Sequence, residues 1–134
     1  MAKEKIAFII NPKSGLHIRQ NVAESIESLF SPKLFDARIY FTKKAGDATN
    51  AARSFQIEGF QRVIAVGGDG TVNEVARGLV GTHTAMGIIP FGSGNGLARH
   101  LNIPLRTEEA LLRIMRNKQM AIDYGIFNHK PFFC

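Results

Sequence analysis

Short apolar runs and longer amphipathic stripes alternate along the chain. The short runs are rich in β-branched residues and end at glycine, proline or asparagine, so each is predicted to be a strand. They lie at residues 5–10, 37–41, 62–66, 85–90 and 119–127. The stripes repeat apolar residues every three or four positions, as a helix with one buried face does. They lie at residues 17–30, 47–55, 71–80, 97–101 and 108–117.

Strands and helices that alternate in this order predict an α/β fold. Because the predicted strands are almost wholly apolar, they are expected to form a mostly parallel sheet that helices cover on both faces. This is the pattern of a Rossmann-like domain. Phe127, Phe132 and Phe133 crowd a predicted turn at residues 128–130. Either a hairpin closes the domain there, or a further domain begins.

Length and composition restrict the class of protein. The 134 residues amount to about one domain, on a prior of ~150 residues each, and 45% hydrophobic with 21% charged residues is ordinary for a globular protein. No apolar run approaches the ~20 residues of a membrane span, and the N-terminus lacks the pattern of a signal peptide. The single cysteine, Cys134, cannot form an internal disulfide. We therefore expect a cytoplasmic protein.

The charge balance favours anionic partners. Lys and Arg total 17 against 11 Asp and Glu, a net charge of +6. Nucleotide phosphate, nucleic acid and an acidic membrane surface would all be attracted, although such a charge also serves solubility alone. Because the longest basic run is Lys43-Lys44 and tryptophan is absent, no nucleic-acid partner is expected.

Small and polar residues follow four of the predicted strands. They occupy residues 11–15, 42–47, 67–74 and 90–96. In an open parallel sheet, ligands bind beyond the carboxyl ends of the strands. These loops are therefore expected to converge on one edge of the sheet and to form the functional site.

The loop at residues 67–71 (GGDGT) carries the strongest signal. Its glycines let the backbone approach a phosphate, and the N-terminus of the following helix is an anion site. A carboxylate there is repelled unless Mg²⁺ lies between it and the phosphate, or unless it accepts a proton from an attacking hydroxyl, so Asp69 is a candidate for either role. The alternative is a tight turn with Asp69 as the helix N-cap. Glu74 either orients a loop or ligand, or is a solvated first-turn acid.

Other polar residues near the strand ends have both a functional and an ordinary interpretation. Asn11 and Thr42 suit phosphate or sugar oxygens, or simply a turn. Lys13 either contacts phosphate or is solvated, and Asp47 is predicted to cap its helix. Asp123 interrupts an apolar strand. It is therefore either a partner in a metal site or a surface-facing strand residue.

Three segments together resemble the catalytic-domain family of diacylglycerol kinases, which sphingosine and ceramide kinases share. They are residues 11–15 (NPKSG), 67–75 (GGDGTVNEV) and 89–98 (IPFGSGNGLA), in the family's order and spacing. The GGDG core alone is similar to loops of NAD kinases and phosphofructokinases, so the resemblance implies a nucleotide domain like theirs. The first and third segments favour the lipid kinases.

The resemblance implies that Mg·ATP donates its γ-phosphoryl group to a lipid hydroxyl of diacylglycerol or sphingoid type. It implies a metal-linked or base role for Asp69, with Asp123 as a second metal-site residue. It also implies an ATP-binding domain at residues 1–127 and the start of a β-rich domain at residues 128–134. The implied nucleotide contacts are Asn11, Pro12, Lys13, Ser14, Gly15, Thr42, Gly68, Asp69, Gly70, Thr71, Val72, Asn73, Glu74 and Ser93.

One position departs from the family. Many bacterial diacylglycerol kinases have Asp directly after the Asn of the third segment, where this chain has Gly96, so the family's metal network would lack a carboxylate. The alternatives to a lipid kinase are a kinase of a soluble acceptor, akin to NAD kinases, and a nucleotide-binding regulatory module without transfer activity. The expected partners are a nucleotide and a lipid at a membrane surface. Homo-oligomers through the C-terminal phenylalanines are a further expectation.

Overall fold

The predicted alternation of strands and helices is present in the structure, a computed structural model that describes residues 2–12, 16–90, 107–115, 124–127 and 130–133. Among these residues the strands are β1 (Glu4–Ile10), β2 (Phe35–Phe41), β3 (Arg62–Gly67), β4 (Ala85–Pro90), β5 (Tyr124–Phe127) and β6 (Lys130–Phe133). The helices are α1 (Leu16–Leu29), α2 (Asp47–Ile57), α3 (Asp69–Leu79) and α4 (Thr107–Met115). The helix predicted at residues 97–101 lies outside the described residues. Within the described ranges, every helix is too short or too polar to traverse a bilayer.

The first four strands form one parallel sheet in the order β2-β1-β3-β4. Ile6 of β1 lies between Ala37 of β2 and Arg62 of β3. The chain runs outward from β1 to β2 and then returns to the other side of β1, so the strand order reverses between β1 and β3. In such sheets this switch point opens a crevice at the carboxyl ends of the two strands, where ligands bind.

Helices cover both faces of the sheet, because successive side chains of a strand point to opposite faces. Ala7 and Ile9 of β1 belong to one core, together with apolar residues of α2 and α3. Ile6, Phe8 and Ile10 belong to the other core, together with apolar residues of α1 and α4. All five of these β1 side chains are buried. The predicted α/β sheet with helices on both faces is therefore confirmed.

The helices α2 and α3 cross very closely at Gly78. A Cβ atom at Gly78 would lie 2.6 Å from the carbonyl oxygen of Thr49 and 2.8 Å from Cβ of Ala52, closer than packed atoms approach. The hydroxyl of Thr49 also donates a hydrogen bond of 2.7 Å to the carbonyl oxygen of Glu74. These contacts fix the position of α2 relative to α3, just behind the carboxyl edge of the sheet.

The C-terminal strands form a separate two-stranded sheet. β5 and β6 pair antiparallel, with Tyr124 opposite Phe133 and Phe127 opposite Lys130, and β6 runs beside α3. The predicted hairpin is confirmed, although Lys130 belongs to the strand and not to the turn. The predicted division of the chain between residues 127 and 128 falls within this hairpin and stays a prediction. Residues 119–123 of the predicted last strand lie outside the described residues.

The outer strand β2 begins at Phe35, two residues before the predicted start. Asp36 and Arg38 interrupt the apolar pattern, but their side chains are partly exposed and form an ion pair of 3.1 Å. An outer strand tolerates such charges because one of its sides faces water. Helix α3 likewise begins two residues before its predicted start, at Asp69 and not at Thr71.

The amino edge of the sheet is joined by a buried arginine. Arg62 is 3% exposed and donates from Nε to Oε2 of Glu4 at 2.6 Å. Its Nη1 donates to the carbonyl oxygen of Ile114. These bonds join the starts of β1 and β3 to the end of α4, at the edge opposite the crevice.

Candidate active site at the carboxyl edge of the sheet

Three of the predicted loops meet at the switch point of the sheet. The N–H of Asn11 donates to the carbonyl oxygen of Val66 at 3.1 Å, and the N–H of Thr42 donates to that of Ile10 at 2.9 Å. These bonds extend the strand ladders past the ends of β1 and β2, so Asn11, Thr42 and the β3–α3 loop lie side by side. The predicted convergence is confirmed for these loops. The predicted site residues Lys13, Ser14, Gly15, Ser93 and Asp123 lie outside the described residues, as does Gly96.

The N-terminus of α3 has the arrangement of an anion site. Its N-cap is Gly68, in an extended conformation with φ −91° and ψ −168°. The first bond of the helix runs from the N–H of Val72 to the carbonyl oxygen of Gly68 at 3.1 Å. The N–H groups of Gly68, Gly70 and Thr71 therefore come before the helix's own ladder, at the positive end of its dipole. Such groups bind phosphates and carboxylates.

The glycines of this loop serve two different purposes. A Cβ atom at Gly67 would lie 2.7 Å from Oγ1 of Thr71, which is itself buried, so packing alone demands a glycine there. At Gly70 a Cβ atom would meet nothing within 4 Å among the described residues beyond the adjoining helix backbone. Packing in the described part of the fold therefore does not require a glycine at position 70, whereas the close approach of a phosphate to the backbone would.

Asp69 is the first residue of α3 and is exposed. The alternative that it is the helix N-cap is wrong, because Gly68 occupies that position and α3 has no side-chain cap. The carbonyl oxygen of Asp69 accepts a hydrogen bond from Nδ2 of Asn73 at 3.0 Å. A carboxylate is also favoured in the first turn by the helix dipole. Asp69 thus stands directly beside the N–H groups that would hold an anion.

Val72, another of the predicted nucleotide contacts, packs in the protein core. Its side chain is 3% exposed and lies in the core between the sheet and helices α2 and α3. Its N–H is bonded to Gly68, so the helix already uses it. The amide groups that we consider for a ligand are those of Gly68, Gly70 and Thr71.

The β2–α2 loop is held by Asp47, in a way that the sequence did not indicate. The carboxylate of Asp47 accepts hydrogen bonds from the N–H of Lys43 at 2.8 Å and from the hydroxyl of Tyr40 at 2.9 and 3.0 Å. The prediction that Asp47 caps α2 is wrong, because the cap is Gly46, which has φ +83° and leaves Asp47 as the first helical residue. The carboxylate therefore points back to the loop and not along the helix.

These hydrogen bonds shift two pKa values in opposite directions. The N–H of Lys43, followed by the Tyr40 hydroxyl, holds the pKa of Asp47 below that of an ordinary aspartate. The hydrogen bond to Asp47, together with desolvation, raises the pKa of Tyr40 above that of an ordinary tyrosine. At neutral pH Asp47 is thus an ionised carboxylate that accepts the hydrogen bond, and Tyr40 is a neutral phenol that donates it.

Glu74 connects α3 to the same loop. Its Oε1 accepts a hydrogen bond of 2.8 Å from the N–H of Gly46, 28 residues away in the chain. Of the two roles that the sequence left open, this contact favours the one in which Glu74 orients a loop. The two predicted site carboxylates of α3 thus lie on successive turns, Asp69 at the first and Glu74 at the second.

Among the described residues, no group of three His, Cys, Asp or Glu side chains could hold a metal ion. Mg²⁺ in phosphate-transfer sites is bound by one or two carboxylates together with phosphate oxygens and water. In the part of the chain that the structure describes, Asp69 is the carboxylate at the start of α3, beside the anion site. One such carboxylate fits an ion that is shared with a bound phosphate.

A groove of about 1030 Å³ lies elsewhere, between α1 and the outer strand β2. Lys5, Phe30 and Phe35 are among the residues that line it, and the predicted site residues among the described ones are not. The chemistry of the loops, and not the size of a cavity, therefore identifies the carboxyl edge as the candidate site.

Comparisons with known proteins match the chain to one family. Residues 5–127 match the family model of the diacylglycerol kinase catalytic domain. A diacylglycerol kinase of Bacillus subtilis (strain 168) is 37% identical over 135 residues, which cover 96% of this chain and 44% of that protein. A diacylglycerol kinase of Staphylococcus saprophyticus is 32% identical over 133 residues, which cover 97% of this chain and 43% of that protein.

A solved structure is similar over the same region. The crystal structure of a diacylglycerol kinase from Bacillus anthracis strain Sterne matches with a TM-score of 0.83 and 32% identity. The match covers 98% of this chain and 45% of that one. The chain therefore spans less than half the length of the relatives that it matches.

Proposed function

The chain belongs to the diacylglycerol kinase catalytic domain family, and from this premise we propose that it is the nucleotide-binding part of an ATP-dependent lipid kinase. The observation that carries the proposal is the N-terminus of α3 at the switch point of the sheet. Gly68 is its cap, Gly70 is exposed, and a Cβ atom at Gly70 would meet nothing within 4 Å among the described residues beyond the adjoining helix backbone. A triphosphate is the ligand that this arrangement suits best.

The nucleotide lies across the carboxyl ends of the strands. Neighbouring strands are ~4.8 Å apart, so the end of β2 is about 10 Å from the end of β3, with β1 between them. With the triphosphate at Gly68, Gly70 and Thr71, the nucleoside extends over Asn11 towards Thr42. Their amide and hydroxyl groups suit the sugar and the base.

Asp69 serves the transfer of the γ-phosphoryl group. The lipid hydroxyl oxygen forms a bond to the γ-phosphorus while the bond from that phosphorus to the bridging oxygen breaks, ADP leaves, and the hydroxyl proton passes to a base. Mg²⁺, when bound, offsets the negative charge of the phosphates. Asp69 either helps to hold that ion or receives the proton.

Diacylglycerol is the proposed acceptor, because the relatives at 37% and 32% identity are named diacylglycerol kinases. Those proteins are more than twice as long as this chain, so transfer to lipid is proposed for a protein of that length and ATP binding for these residues. The net charge of +6 would favour an acidic membrane surface. The proposed enzyme is cytoplasmic and visits the membrane to reach its substrate.

The test is phosphoryl transfer from radiolabelled Mg·ATP by the gene product that carries these residues. Mixed micelles offer diacylglycerol or sphingosine, and a parallel reaction offers NAD as a soluble acceptor. We expect labelled phosphatidic acid, and a turnover at least ~100-fold lower for Asp69→Asn. ATP binding without labelling of any acceptor would instead indicate a regulatory module, and labelled NADP would indicate a soluble acceptor.

Asp69→Asn also distinguishes the two roles of that carboxylate. If Asp69 helps to hold Mg²⁺, the variant needs more Mg²⁺ to reach its residual maximal rate. If Asp69 receives the proton, the Mg²⁺ dependence is that of the wild type. A turnover close to wild type would exclude both roles.

A further inference from the structure

The segment from Thr42 to Gly46 is anchored at both of its ends. At the start, the N–H of Thr42 is bonded to Ile10 of β1. Near the end, Gly46 donates to Glu74 of α3 at 2.8 Å. Within the segment, the N–H of Lys43 is bonded to the Asp47 carboxylate. The loop beside the nucleoside is therefore joined to the helix beside the triphosphate by one side chain.

We propose that Glu74 is a positioning residue for nucleotide binding. Through the N–H of Gly46, it sets the distance between the Thr42–Gly46 segment and the N-terminus of α3, so that one nucleotide contacts both. This inference rests on the proposed function, because it assumes a ligand that reaches from the phosphate site to Thr42. The role proposed here acts through the contact of Glu74 with the loop and is separate from the direct nucleotide contact that the resemblance implies for Glu74.

The surroundings make this connection stiff. Gly46 has φ +83°, a left-handed conformation that favours glycine, and begins α2. The carbonyl oxygen of Glu74 accepts the hydroxyl of Thr49 at 2.7 Å, and the close crossing at Gly78 prevents the two helices from approaching further. A change at the Glu74 side chain therefore acts on the loop, while the helices stay in place.

The chemistry of the contact predicts which substitutions preserve it. The bond needs an acceptor at the end of a side chain of this length, and a glutamine amide oxygen is such an acceptor. Glu74→Gln keeps the contact and removes the charge. Glu74→Ala removes both. The two variants therefore separate a positioning role from an electrostatic role towards a metal ion or the phosphates.

The experiment compares two ligands by titration calorimetry on this chain. Mg·ATP spans the phosphate site and the loop, whereas inorganic tripolyphosphate reaches only the phosphate site. For Glu74→Ala we expect the Kd of Mg·ATP to rise about five- to tenfold, as for the loss of one hydrogen bond, and the Kd of tripolyphosphate to stay within about twofold. Glu74→Gln should bind both ligands like the wild type. Glu24→Ala, which removes an exposed carboxylate from α1 on the other face of the sheet, is the matched control.

Amide hydrogen exchange at Gly46 tests the contact without any ligand. Exchange there should be faster in Glu74→Ala and unchanged in Glu74→Gln. Equal losses of affinity for both ligands in both variants would overturn the positioning role in favour of a direct effect of charge. Unchanged Mg·ATP binding by Glu74→Ala would overturn it as well. If the wild type binds no Mg·ATP, the proposed function fails, and unchanged exchange at Gly46 would separately disprove the contact.

Discussion

Gly70→Val is expected to weaken nucleotide binding while leaving the stability of the fold almost unchanged. Among the described residues, a Cβ atom at Gly70 would meet nothing within 4 Å beyond the adjoining helix backbone, and Gly70 is exposed, so we expect room for the valine side chain. Gly70 lies in the first turn of α3, where a non-glycine residue loses less backbone entropy on folding. We therefore expect the free energy of unfolding to change by less than ~1 kcal/mol.

Nucleotide binding should respond very differently. A branched side chain at this position stands where the triphosphate approaches the N–H groups of Gly70 and Thr71. A hydrogen bond to a charged group contributes ~1.5–3 kcal/mol, so the loss of two such bonds amounts to ~3–6 kcal/mol. The Kd for Mg·ATP should rise by at least ~100-fold.

The assay is titration calorimetry with Mg·ATP on variants whose folding has been verified by urea unfolding. Gly70→Ala, with a smaller side chain, should give an intermediate Kd. Ser54→Val, which places the same side chain on the exposed surface of α2, should bind like the wild type. A folded Gly70→Val protein that binds within about twofold of the wild type would refute the placement of the triphosphate.

Three further predictions follow from the packing and the pKa shifts. Gly78→Ala should lower the free energy of unfolding in urea by ~1–3 kcal/mol, whereas Gly70→Ala should not; equal stabilities would contradict the close helix crossing. In Tyr124→Phe, Tyr40 is the remaining tyrosine, and its phenolate absorbance should appear above the ordinary pKa of about 10 and move back towards it when Asp47→Ala is added. Because the folded pKa of Asp47 is lowered, its contribution to stability is complete above the ordinary aspartate pKa of about 3.9 and is lost as the pH falls through the folded value. The difference in unfolding free energy between wild type and Asp47→Ala should therefore shrink below about pH 4, and a difference that grows there would contradict the assigned contacts.

The sheet and the convergence of its loops were predictable because they follow from local patterns. The apolar run that forms β3 ends at Gly67 and Gly68, and the apolar residues of α3 repeat at helical spacing. Parallel order then places Asn11, Thr42 and the β3–α3 loop at one edge, whatever the details of packing. The register and the order of the strands could be determined only from the structure, because apolar strands of similar composition can pair with one another in several orders.

The contacts that organise the site were not predictable in the same way. Glu74 and Gly46 are 28 residues apart and meet only because α2 and α3 cross closely. Asp47 has the residue type and position of a helix cap, yet the left-handed Gly46 takes that position and turns the carboxylate to Tyr40. Gly68 likewise displaces Asp69 from the cap of α3. In both loops, a glycine takes the cap position that residue preference alone would give to the aspartate.

The most direct test of the central claim is an amide NMR titration of this chain with Mg·ATP. The account predicts the largest shifts at the N–H groups of Gly68, Gly70 and Thr71, with further shifts at Asn11 and Thr42 and none at the amino edge of the sheet. Shifts confined to the groove between α1 and β2, or no shifts at ligand concentrations that saturate a related kinase, would contradict it.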